Sequence, residues 1–250
     1  MHLMKIIYRS SFRFFLTAVL LFAICCCFLR VSPDRLTGAA FCHQIPARSP
    51  AFDFPFCYRC SGLFFGIFFG LLISCFTRGG DKLFSRQILA AYAVSIILFI
   101  LDILNSSKFP VFHIYTETVR LRFLSSYPLG YFTAQLIASI IKYLFIPNPS
   151  KPTKNKFFDI LKFIGTSGLS FLMVFSENYP VSLLSRIMLG AAAVIFLSFL
   201  YAILSKCYAL WQNKTYERFS IICSALSCAL LQISLFGFLH LRFLPLEQFF

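Results

Sequence analysis

The sequence predicts an all-α, polytopic transmembrane helical bundle of about seven spans, and three observations carry that class. Of its 250 residues, 59% are apolar and only 13% are charged, where a soluble domain carries about a quarter charged residues. The 34 phenylalanines are more than a water-soluble core of this length holds. The apolar residues also gather into runs close to the roughly 20 residues that cross a bilayer, and none shows the alternating period of a membrane barrel. Water-soluble globular and disordered classes are therefore excluded. Eleven Gly and 11 Pro exclude collagen-like and low-complexity chains as well.

The first run covers residues 14–29. Lys5, Arg9 and Arg13 precede it, but no small-x-small cleavage site follows Phe28, so it reads as an uncleaved anchor helix. Cys25, Cys26 and Cys27 point to different faces of such a helix and read as apolar filler. The second run, 61–76, is short like the first; flanking Phe12 and Phe56 and the snorkelling Arg13 and Arg59 lengthen both. In it, Gly62, Gly66 and Gly70 form two overlapping G-x-x-x-G steps, which predict close approach by another helix. Runs 87–104 and 127–146 follow. Gln135 in the latter, and Gln232 in the last run, predict hydrogen bonds between helices. Run 157–175 is polar at its start, with Asp159 and Lys162; as an interfacial helix it would leave six spans. Runs 183–204 and 219–241 complete the set.

Residues 147–156 carry three prolines and three lysines without one apolar side chain. Such a stretch neither forms a helix nor buries surface. It is expected to divide a four-span unit, 1–146, from a three-span unit, 157–250.

A net charge of +14 would suit nucleic acid. The basic residues, however, lie in loops or near span ends, where they set orientation and touch lipid headgroups. The expected partner is the lipid bilayer, not nucleic acid. With the N-terminus inside, the inner loops hold most of the 23 Lys and Arg, so the N-terminus is expected in the cytoplasm.

The chemistry-bearing residues concentrate in the first outer loop. Cys42, His43, Arg48, Cys57, Arg59 and Cys60 lie there close together. A C-x-x-C at a helix start turns both thiols toward the amide dipoles, which favour thiolate, and Arg59 adds a positive charge. Thiolate both attacks disulfides and binds soft metals. The expected topology places Asp102 and the loop of Arg120 and Arg122 on the same side. Arg48, Arg59, Arg120, Arg122 and Asp102 are thus candidates for one mouth that attracts an anionic lipid or small anion. Asp102 is expected to pair with Arg120 or Arg122, because a lone carboxylate near hydrocarbon is expensive.

The stretch C-H-Q-x-P-x-R-S, then F-P-x-C-x-R-C-x-G-x-x-x-G, resembles a bacterial membrane family called domain of unknown function 2085. Cys42, His43, Gln44, Pro46, Arg48, Ser49, Phe54, Pro55, Cys57, Arg59, Cys60, Gly62 and Gly66 carry the likeness. A second family signature is matched at Thr118, Arg122, Ser125 and Gly130, with Asp102 in place of its Asp. Ile103, Glu117, Val119 and Ser126 depart from it. The likeness covers about residues 41–130. It implies a bacterial inner-membrane protein and lends no established reaction.

Three functions fit these residues. In the first, Cys42, Cys57, Cys60 and His43 hold a structural zinc, or a disulfide staples the loop, beneath an arginine-lined mouth. In the second, a membrane thiol-disulfide oxidoreductase uses Cys57 to attack and Cys60 to resolve, with Cys42 as relay. In the third, the chain transports a small anionic or lipid-like molecule. The binding role ranks first and catalysis second. P-loop, Rossmann, Ser-His-Asp and kinase motifs are absent.

Overall fold

A computed structural model describes residues 2–41, 56–76, 86–106, 118–145, 156–176, 178–211 and 218–243. All regular structure among them is helical: α1 (His2–Leu29), α2 (Pro33–Phe41), α3 (Tyr58–Phe76), α4 (Arg86–Ser106), α5 (Val119–Phe145), α6 (Lys156–Val174), α7 (Tyr179–Trp211) and α8 (Arg218–Phe243). Each apolar run read from the sequence coincides with one of these helices, with Phe175 just past the end of α6 and Ile146 outside the described residues. Five of them, α1, α3, α4, α7 and α8, contain stretches long and apolar enough to cross a membrane. In α6 the apolar segment is shorter, Ile160–Val174. The linker expected at 147–156 lies outside the described residues apart from Lys156, the first residue of α6.

The chain forms two compact units, one of residues 1–45 with 190–250, the other of 46–189. In the first unit α8 packs on α1 and on α2. A short helix such as α2 is invisible in hydropathy, but its origin is local. α1 ends in a Schellman arrangement, with Arg30 N–H on the Cys27 carbonyl (3.2 Å) and Val31 N–H on that of Cys26 (3.0 Å). Arg30 takes the left-handed conformation this requires, φ 53°. Ser32 and Pro33 then restart the helix, with Leu36 N–H on the Ser32 carbonyl at 3.1 Å. Buried Leu36 sits where the bare backbone of Gly237 leaves room. Further along, Leu197, Ala229 and Ile233 make a core flanked by Phe22, Phe41 and Tyr201. Tyr201 donates its hydroxyl to Gln232 at 2.5 Å, the interhelical bond expected of that glutamine.

The second unit is built around α5, against which α3, α4 and α6 pack. Its most extensive contact is α3 on α5. A methyl group on Gly62 would run into the Phe123 carbonyl, one on Gly66 into the Tyr127 carbonyl, and one on Gly70 into Ala134 Cβ and the Tyr131 carbonyl (2.7 Å each). The reciprocal small residue is Gly130, whose missing Cβ makes room for the Leu63 carbonyl. Contacts advance in the same direction along both helices, so α3 and α5 run parallel, backbone against backbone. Gln135 also reaches the Gly70 carbonyl at 3.4 Å.

Aromatic rings fill the remaining sides of α5. Phe123 meets Phe65 of α3 and Phe171 and Phe175 of the α6 end, with ring centroids about 6 Å apart. Tyr127 and Tyr131 both meet Phe163. The ring of Tyr58, first residue of α3, stacks on Phe175 at 5.5 Å and 1°. These pairings run α6 antiparallel to α5. In hydrocarbon a hydroxyl must find its partner inside the protein. Accordingly Ser74, Ser95, Thr133, Ser139, Thr166 and Ser170 each donate to the carbonyl four residues earlier, at 2.7–2.8 Å.

Candidate functional site

The parallel packing of α3 and α5 brings two helix N-termini to one end of this unit. The same end receives the C-terminus of α4, because Asp102, in the last turns of α4, meets Arg59 in the first turn of α3. Arg59 Nε bonds Asp102 Oδ2, and Nη2 donates to the Asp102 backbone carbonyl at 3.0 Å. Both residues are buried, 6% and 1% exposed. Each charge alone has the wrong sign for its place. A cation at a helix N-terminus and an anion near a C-terminus both oppose the macrodipole, and neither is tolerable unpaired in hydrocarbon. The pair removes both objections.

Arg120 or Arg122 is the partner expected of Asp102 from the sequence; among the described residues Arg59 bonds it. Arg120 lies exposed in the first turn of α5. Arg122 is half-buried one residue before Phe123, level with Gly62. Its carbonyl accepts from the hydroxyls of Ser125 (3.1 Å) and Ser126 (2.6 Å). Thr118 caps α5, accepting from Leu121 N–H at 3.3 Å.

Cys57 stands at the cap of α3, its carbonyl accepting from Ser61 N–H at 2.8 Å. Cys60 follows in the first turn. The C-x-x-C therefore opens the helix as its spacing predicts, with Cys57 buried and Cys60 half-buried. Cys42, His43 and Arg48 lie outside the described residues. Among the described residues no group of three His, Cys, Asp or Glu side chains gathers to hold a metal.

At the opposite end of the unit, Lys142 of α5 donates to the Ser74 carbonyl, 2.7 Å away, in the last turn of α3. Two parallel helices place two negative ends side by side there, and this lysine answers them. Sequence reasoning missed it, counting Lys142 only as one of the inner cations near a span end. It also missed Gly130 as the counterpart of the α3 glycines. A glycine within a span that also holds Pro128 was the available signal.

The unit thus sorts its charged groups to its ends, with arginines at the helix N-termini and a lysine at the C-termini. No curated protein and no solved structure matches the chain. Residues 42–136, which include every candidate site residue, match the family described as Predicted membrane protein (DUF2085).

Proposed function

We propose that this membrane protein binds an anionic group at the arginine end of the α3–α4–α5 unit and is a binding protein rather than an enzyme. The observation that supports this reading most is charge placement. Two parallel helix N-termini share that end with Arg59, Arg120 and Arg122, and the one acidic side chain described there, Asp102, is engaged with Arg59. Helix N-termini and guanidinium groups both favour an oxyanion. A phosphate or carboxylate headgroup meets these donors at the depth where the helices begin. The positive-inside bias supports a cytoplasmic N-terminus in a bacterial inner membrane, with this end on the outer face. Replacing Arg120 and Arg122 together by Gln is expected to weaken binding of phosphatidylglycerol to the purified protein at least tenfold by native mass spectrometry, given about 1.5–3 kcal/mol per charged hydrogen bond. Equal retention by parent and variant sinks the reading.

In the same proposal, Cys42, Cys57 and Cys60, with His43, hold that end together through a structural zinc. Placement of Cys57 and Cys60 in the opening turn of α3 supports this, and equally a redox pair. Metal analysis with thiol counting separates the two. Zinc requires its thiolates together, so Cys42→Ser, Cys57→Ser and Cys60→Ser should each release metal. A redox pair behaves unequally: Cys60→Ser would trap a mixed disulfide on Cys57, and Cys57→Ser would trap none. Three alkylatable thiols and no metal would remove both and leave the arginines alone.

A further inference from the structure

We infer that Ser61 is a positioning residue of the cysteine site, whose buried hydroxyl donates to the sulfur of Cys57 when that sulfur is a zinc-bound thiolate. This rests on the zinc reading above and adds a residue that the C-x-x-C spacing does not single out.

Ser61 ends the first turn of α3 and is 0% exposed. Among the described residues its Oγ has no hydrogen-bond partner. The other helical serines behave differently. Ser74, Ser95, Ser170, Ser198 and Ser227 each donate to the carbonyl four residues earlier. Ser61 has the same carbonyl at hand, that of Cys57, which receives its N–H at 2.8 Å. Its hydroxyl is not turned there. A buried hydroxyl without an acceptor is unfavourable in hydrocarbon, and an acceptor that arrives with a ligand relieves it.

The neighbours on the helix narrow that acceptor. Cys57, Cys60 and Ser61 stand at positions i, i+3 and i+4, which share one face. Helical side chains tilt toward the N-terminus, so Ser61 leans over the turn that Cys57 opens. Beyond Ser61 the same side of α3 continues as Phe64 and Phe65, 3% and 0% exposed, and the ring of Phe56 lies 5.1 Å from that of Phe64. Aromatic faces are weak acceptors for a hydroxyl. The sulfurs are the remaining side-chain acceptors described on this face. A neutral thiol accepts poorly, whereas a charged acceptor makes the stronger bond. The Ser61 donor is thus idle without metal and engaged with it, and a donor of this kind orients the metal ligand and raises affinity. Arg59, two residues before Ser61, belongs to another side of α3 and bonds Asp102 of α4. The cysteine site and the arginine site therefore use different sides of one helix opening.

The experiment uses the full chain in phosphatidylcholine nanodiscs, with zinc ion and, as a coloured substitute, cobalt ion. In competition with a chelator, Ser61→Ala should bind zinc roughly tenfold more weakly than the parent. Ser61→Thr, which keeps the hydroxyl, should bind like the parent. With cobalt, the thiolate-to-metal absorption of Ser61→Ala should move to longer wavelength, because a hydrogen bond to sulfur stabilises its donor electrons. Metal-free Ser61→Ala should melt no lower than the metal-free parent, since the hydroxyl it lacks was unsatisfied. Equal zinc affinity in parent and Ser61→Ala, with an unmoved cobalt absorption, overturns the inference and leaves the zinc site standing. A lower melting point for metal-free Ser61→Ala overturns it as well, by showing that the hydroxyl serves the fold. If the parent takes up neither metal, the zinc site falls and this role of Ser61 with it.

Discussion

Gly66→Leu is expected to unseat α3 from α5 and to leave little folded protein. A Cβ at Gly66 meets the Tyr127 carbonyl, with Tyr131 N (2.7 Å) and Gly130 C (3.1 Å) close behind. These are backbone atoms of the neighbouring helix, which cannot rotate aside as a side chain can. Overpacking a core ordinarily costs about 1–3 kcal/mol. Here relief requires separating two helices along their length, which would also uncover the aromatic cluster around Phe123. The expected cost therefore lies above about 3 kcal/mol. Gly190→Leu in α7 is the control, since a Cβ there meets nothing within 4 Å. Thermal denaturation in detergent should show a melting point near the parent's for Gly190→Leu and loss of accumulation or a large drop for Gly66→Leu. Similar melting of both variants would disprove close packing at Gly66.

Cutting the Arg59–Asp102 pair from either side should be nearly as damaging. Removing one partner of a buried ion pair strands the other charge, and the typical loss is about 3–5 kcal/mol. Arg59→Met and Asp102→Leu, each made alone, are expected to destabilise by comparable amounts. Replacing the two together by apolar residues of similar volume, Arg59→Met with Asp102→Leu, should recover most of the loss, because no charge is then left in hydrocarbon. A double-mutant cycle on reversible unfolding in micelles reads this directly. Two single losses that simply add in the double variant would mean that the charges act independently.

How much of this was legible depends on which physical effect each element answers to. The helices around 61–76 and 87–104 are written in run length, because lipid demands about 20 apolar residues per crossing. Gly62, Gly66 and Gly70 announced a close helix contact by spacing alone. Their partner helix was not named, since any helix with a small residue at the right height could serve; Gly130 supplies it. α5 itself reads as polar, with Ser125, Ser126, Gln135 and Lys142. It is polar because it sits among α3, α4 and α6, where those groups find carbonyls.

The candidate site divides in the same way. That Arg59, Asp102 and Arg122 would share one end followed from counting crossings. That Arg59 holds Asp102 did not follow, because several cations stood in the same loops and sequence spacing does not choose among them. Composition and periodicity determined the solvent of this protein, the helical class and the opening of α3 by a C-x-x-C, since each depends on neighbours in sequence. The pairing of α3 with α5, the Arg59–Asp102 bond and the Lys142 cap on α3 were decided by tertiary structure alone. Each joins groups more than 40 residues apart, and only the packed bundle makes such groups neighbours.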